Sequence, residues 1–183
     1  MNAPAFYDEL RALRRERLLD AGVAIIVEEG WDRLSMTRVA TRSGIPRQSL
    51  YKEVGTKTEL GEAIVAREVE RFMAGVLDSF DAQPDSVVDG LSAGVRYVLE
   101  HGQDNTVLKA VLTPGHDPEL LRLLTVRSDA VLEQAVQVIT ESRGLAEATV
   151  DTVVRLTLSH LLQPTVSIDE AVTRIRRVVS ALV

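Results

Sequence analysis

Ser35-Met36-Thr37-Arg38-Val39-Ala40, followed by Ser43-Gly44-Ile45-Pro46-Arg47-Gln48-Ser49-Leu50-Tyr51, reads as two short helices joined by a tight turn. Ser35 can cap the first helix and Gly44 can close it. Pro46 suits the first turn of the second, where a missing N–H costs nothing. The surrounding window, residues 33–57, holds six cations (Arg33, Arg38, Arg42, Arg47, Lys52 and Lys57) against one anion, Glu53. The whole chain of 183 residues, by contrast, has formal charge -6. An acidic chain that gathers positive charge on a helix-turn-helix is suited to grip a polyanion there.

Outside that window the charge changes sign. Residues 1–60 carry 10 Lys+Arg and 9 Asp+Glu, whereas residues 61–183 carry 11 and 18. The acidic remainder is a poor nucleic-acid surface, so any such contact belongs to the N-terminal third. Hydrophobic residues at 45% and charged residues at 26% fit a soluble globular protein and exclude wholesale disorder. Cysteine is absent, which excludes disulfide and thiolate chemistry. The first residues lack the basic start and apolar run of a signal peptide, and Val23–Val27 is too short to cross a bilayer. The expected location is the cytoplasm, with no membrane partner.

Nearly every segment has helical periodicity, so the expected fold is all-α with about nine helices. Leu10, Leu13, Leu18, Ala21 and Ile25 mark one face of a first helix that stops at Gly30. Thr56-Lys57-Thr58-Glu59 has capping-box form and starts a fourth helix at Lys57, which fades near Pro84. Val87 to Leu99 stripe the next, and Val107 to Leu112 a short one. Asp117-Pro118-Glu119 opens a long helix reaching Ser142. Gly144 and Pro164 bound another, and the capping box Ser167-Ile168-Asp169-Glu170 starts the last. The division expected is a helix-turn-helix domain at 1–56 and a helical effector-binding and dimerisation domain at 57–183.

A recognition helix places its N-terminal half in the major groove. Arg47 has a planar fork matched to guanine O6 and N7, and Gln48 can pair with adenine; these two are the candidate base readers. Ser49, Tyr51 and Lys52 suit the sugar-phosphate backbone, with Pro46 at the helix entrance. Thr37 and Arg38 are further phosphate candidates. Lys57, with the N–H groups of its first turn, makes another.

The stretch from Gly30 to Leu60 resembles the DNA-binding domain of the TetR family of bacterial transcription regulators. The matching residues are Gly30, Leu34-Ser35-Met36, Val39-Ala40, Ser43-Gly44-Ile45, Leu50-Tyr51, Lys57 and Leu60, with Leu18-Leu19-Asp20-Ala21-Gly22 upstream. Three positions depart from the family pattern: Val54 and Ile26 stand where an aromatic is usual, and Glu53 where His or Tyr is common. The resemblance implies a homodimer on a two-fold double-stranded DNA operator, joined by a four-helix interface, and released by a small molecule. Arg14, Arg15 and Arg17 could then reach DNA, or could simply be solvated.

The two C-terminal helices offer Leu156, Leu158, Leu161, Leu162, Ile175, Val178, Val179 and Leu182 as interface candidates, or alternatively as monomer core. A ligand cavity within residues 57–142 would draw on Phe72, Met73, Val76, Val98, Leu108, Leu112 and Leu124, with polar His101, Asn105 and Gln134. Such a lining suits a hydrophobic or amphipathic effector. Trp31 is expected to pack the small domain. The three histidines lie far apart without metal-ligand spacing, and no phosphate loop or nucleophile elbow is present, so neither metal, cofactor nor enzyme activity is expected. The alternatives are a ligand-independent or activating DNA-binding regulator of the same fold, or a helical interaction module or enzyme with no DNA role.

Overall fold

The computed structural model describes residues 3–105 and 128–183, and within them the chain is helical throughout. Eight α-helices run in order: α1 (Ala3–Glu29), α2 (Met36–Ser43), α3 (Arg47–Val54), α4 (Lys57–Asp81), α5 (Val87–Gly102), α6 (Ser128–Arg143), α7 (Glu147–Leu162) and α8 (Ile168–Leu182). A single 3-10 turn, Trp31–Arg33, links α1 to α2. The expected short helix at 107–112 and the Asp117-Pro118-Glu119 start lie outside the described residues. Among those described, no helix is long and apolar enough to cross a membrane.

Helix ends follow the local chemistry. Ser35 Oγ accepts from the Arg38 N–H, so the cap of α2 is formed as its sequence suggests. At the start of α4, Thr56 Oγ1 accepts from the Glu59 N–H at 3.3 Å while the Glu59 carboxylate accepts from the Thr56 N–H at 2.8 Å. Two entrances differ from expectation. Pro46 precedes α3 as its cap residue, with ψ 139°, rather than sitting inside the first turn. Ser167 Oγ caps α8 through the Glu170 N–H, but the Glu170 carboxylate turns along the helix to Arg174 Nη2 at 2.6 Å. The neighbouring cation one turn on outcompetes the neutral backbone donor.

The N-terminal core gathers Leu18, Ile25, Ile26, Trp31, Leu34, Val39 and Leu50 with Leu60, Ile64 and Val65 of α4. The first turns of α4 therefore pack into the same core as α1, α2 and α3. Ile26 and Val54, the two departures from family aromatics, are both buried in that core. Leu13 is not part of it: it lies 65% exposed on the first half of α1. In the body, α5 and α8 share a core of Leu91, Val95, Leu99, Val172, Ile175 and Val179. Two surface pairs fasten the same helices, Arg96–Asp169 at 2.7 Å and Arg176–Asp89. The Arg176 bond and the Ser86 hydroxyl hold the Asp89 carboxyl below its usual range.

Candidate nucleic-acid interface and body cavity

The turn between α2 and α3 is held by its own small residues. Gly44 takes φ 69°, a left-handed conformation that side chains with a Cβ adopt at a cost, and its N–H donates to Ala40 O at 3.0 Å. Buried Ser43 accepts from the Ile45 N–H at 3.2 Å. Past this turn, Leu50 and Val54 anchor α3 one turn apart in the core. Pro46, Arg47, Gln48, Tyr51 and Lys52 are left exposed, and Ser49 is half-buried. Arg47 and Tyr51, four residues apart, form a pair: the guanidinium donates to Tyr51 Oη at 3.1 Å and lies 5.5 Å from the ring centroid. Arg47 is thus held extended along the outer face of the helix.

The remaining cations are distributed less simply than their count suggests. Arg38 bonds Glu29, and Arg42 bonds Glu28 with one donor at 2.6 Å, tying α2 to the end of α1. The Arg42 guanidinium holds the Glu28 carboxyl below its usual range. Thr37 stays exposed, while Arg38 already has an anionic partner. Lys57 is half-buried in the first turn of α4, where the Glu59 carboxylate accepts from the Thr56 N–H. On α1, Arg15 Nη1 donates to the Glu53 carbonyl, and Arg17 lies against the Gly44 turn. Arg14 is exposed. The local count of six cations to one anion missed Glu28 and Glu29, which close α1 only nine to fourteen residues from their partners. Adjacent acids at a helix end, just before a basic helix, were the available signal.

A third ionic group joins α1 to α4. Arg67, 8% exposed, donates to Glu16 at 3.0 Å and lies 2.9 Å from Asp20 and 3.2 Å from Glu68. Arg71 adds a bond to Glu16 at 2.9 Å. One long helix thus carries partners for α3 near its start, for α4 in its middle and for α2 at its end.

The body contains an apolar cavity of about 110 Å³ between α4, α5, α6 and α7. Phe72, Met73, Val76 and Val98 line it as expected of a cavity wall, joined by Leu77, Phe80, Leu91, Val95, Ile139 and Val154. The added α4 residues continue the 69, 72, 73, 76, 77, 80 stripe, a helical period visible in sequence. Those of α6 and α7 had no such signal. The polar candidates do not line it. His101 is exposed and stacks on Tyr97, centroids 4.3 Å apart, because its Nδ1 pairs with the Tyr97 carbonyl one turn back. Gln134 is exposed in a separate groove between α4 and α6, and Asn105 follows α5 away from the wall. Leu108, Leu112 and Leu124 lie outside the described residues. Among described residues the one polar group in the wall is Thr157, whose hydroxyl donates to Val153 O at 2.7 Å within its own helix.

The interface candidates separate by burial. Ile175 at 1% and Val179 at 0% exposure pack against α5, and Leu161 is buried as well, so these three lie in the core of the single chain. Leu156 and Leu158 are half-buried against the same core. Leu162, Val178 and Leu182 remain exposed.

A basic helix-turn-helix whose reading helix projects from a small core defines a DNA-binding regulator. Residues 18–64 match the family described as "Bacterial regulatory proteins, tetR family", and residues 86–181 match "Bacterial Tetracyclin repressor, C-terminal domain". The chain belongs to the TetR family of transcription regulators, and is not an enzyme. It is 28% identical over 169 residues to the HTH-type transcriptional regulator AlkX of Mycobacterium tuberculosis, covering 84% of this chain and 77% of that one. It is 25% identical over 135 residues to the transcriptional activator FasR of Mycolicibacterium smegmatis, covering 72% and 61%. The fold is similar to the crystal structure of the TetR family repressor AlkX from Dietzia sp., with TM-score 0.66 and 24% identity over 91% of this chain and 98% of that one.

Proposed function

We propose that this regulator acts as a cytoplasmic homodimeric repressor, released from a two-fold operator by a slim apolar ligand. Arg47 and Gln48 read bases in this scheme, while Tyr51, Lys52, Ser49 and Thr37 meet the backbone. The exposed Leu162, Val178 and Leu182 supply apolar contact between protomers. Ligand would favour a dimer whose recognition helices no longer match the roughly 34 Å between successive major grooves.

The observation that carries the ligand class is the cavity wall, in which the described residues offer no charged group and no free donor, the Thr157 hydroxyl being committed to Val153 O. A buried carboxylate or ammonium there would go unpaired, at a cost of several kcal/mol, on the order of the effective penalty for an unpaired ion. A volume of about 110 Å³ is also well below the roughly 300–1,000 Å³ of drug-sized sites. A saturated chain meets both limits, and the similar Dietzia repressor is implicated in biodegradation of n-alkanes. The relative named as an activator makes activation the second reading.

Selection of bound duplexes from random DNA, followed by titration with a straight-chain alkane and the fatty acid of equal length, tests the scheme. A palindrome released by the alkane and much less by the ionised acid is the expected result. An asymmetric site, or release by the acid alone, would overturn it.

A further inference from the structure

Glu53 stands in the last turn of the recognition helix, where a negative charge ought to hinder a polyanion. Its side chain is only 15% exposed, and Oε2 accepts from Arg11 Nε at 3.2 Å. Its backbone carbonyl accepts from Arg15 Nη1 at 3.1 Å. That carbonyl is among the last four of α3, which have no donor within the helix, and a guanidinium beside them also suits the helix dipole. Arg11 and Arg15 are one turn apart on α1, so a single face of α1 grips the end of α3 at two points.

We infer that Glu53 is a positioning residue for DNA reading, fixing through Arg11 and Arg15 the angle at which α3 presents Arg47, Gln48, Tyr51 and Lys52. The eight-residue helix buries only Leu50 and Val54 fully, on one stripe. A helix held along one stripe can roll about it. With side chains reaching roughly 5–6 Å from the axis, a roll of about 20° moves an arginine tip by about 2 Å. That displacement exceeds the tolerance of a bidentate hydrogen bond. Glu53 lies on the flank of the buried stripe, next to Val54, where a fastener resists that roll. The same contacts set Arg11 on the carboxylate and Arg15 on the neighbouring carbonyl, so the side chain does not confront DNA as a bare anion.

The inference rests on α3 being the helix that contacts DNA, and the experiment separates the two claims. Full-length Glu53→Gln, Arg11→Ala, the double variant and Arg47→Ala are compared on two duplexes: one recovered from the selection above, and a shuffled duplex of equal length and composition. Glu53→Gln should bind the shuffled duplex more tightly, having lost a negative charge, yet bind the selected one more weakly. The ratio of the two affinities falls about threefold to fivefold, as for loss of a well-placed ion pair. Arg11→Ala should lower the ratio similarly, and the double variant no further. Equal strengthening on both duplexes would reduce Glu53 to a repulsive charge and overturn the inference. So would an unchanged ratio with a lowered Tm, the mark of a merely stabilising contact. Undiminished binding by Arg47→Ala would instead remove the reading of α3 itself, and the inference with it.

Discussion

In the head, side chains from four helices close a continuous core around Leu18, Val39 and Leu50, each almost fully buried. In the body, the α5–α8 core and a smaller cluster of Val136, Ile139 and Val150 stand on either side of an apolar cavity. The head must present a short helix at a set angle, and close packing with ionic fasteners serves that. A sensing body needs interior room, which close packing would remove. Two glycines mark a filled and an open position. A Cβ on Gly22 of α1 would overlap Ile64 Cδ1, as one on Gly75 of α4 would overlap Tyr97, whereas one on Gly94 of α5 at the cavity wall would meet Val76 Cγ1 at an ordinary 3.5 Å.

The largest test is a pair of truncations. Leu50→Ala in the head should cost about 3–5 kcal/mol and Leu91→Ala at the cavity wall about 2–3, because a side chain facing a cavity has fewer contacts to lose. Equal losses in denaturant titrations would break the contrast. Next is Arg47→Ala, which should weaken binding to a selected duplex by about 1–3 kcal/mol, read by fluorescence anisotropy, with little change in Tm. The glycine pair follows. Gly94→Ala should stabilise by about 0.5–1 kcal/mol through helix propensity while blunting any ligand response, and Gly22→Ala should destabilise by roughly 1 kcal/mol or more through overlap. If both raise Tm, the head is looser than its geometry implies. The smallest effect concerns the fasteners. Arg42 lowers the Glu28 carboxyl when folded, so its contribution is present above the ordinary carboxylate range and lost as pH falls through the folded value. The Tm gap between the parent and Glu28→Gln should close on acidification, and a gap independent of pH would show the pair to be inert.

The head was the more legible half for physical reasons. Caps and turn glycines are local properties, so Ser35, Gly44 and Thr56 could be read directly from neighbouring residues. What escaped was non-local. Glu28 and Glu29 neutralise cations that the local charge count treated as available, and Glu53 looked like a flaw until Arg11 and Arg15 were found beside it. In the body, the α4 wall could be read from its period, but the α6 and α7 walls depend on how separate helices meet. The sealed Ile175 and Val179 show the same limit: apolarity marks burial without saying whether a partner or the chain itself provides it.

The charge pattern along α1 has a consequence for how ionic strength acts on this protein. Its end-to-end fasteners to α2 and α3 are partly exposed, so added salt screens them at the same time as it competes for DNA phosphates. The slope of log affinity against log salt would then combine counterion release with loosening of the reading helix, and would overstate the number of phosphates gripped. In the Arg67 cluster the guanidinium is buried while Glu16 and Asp20 are not, so salt should screen it only in part. Comparing slopes for the parent and for a variant lacking the Arg11–Glu53 contact would divide the two contributions.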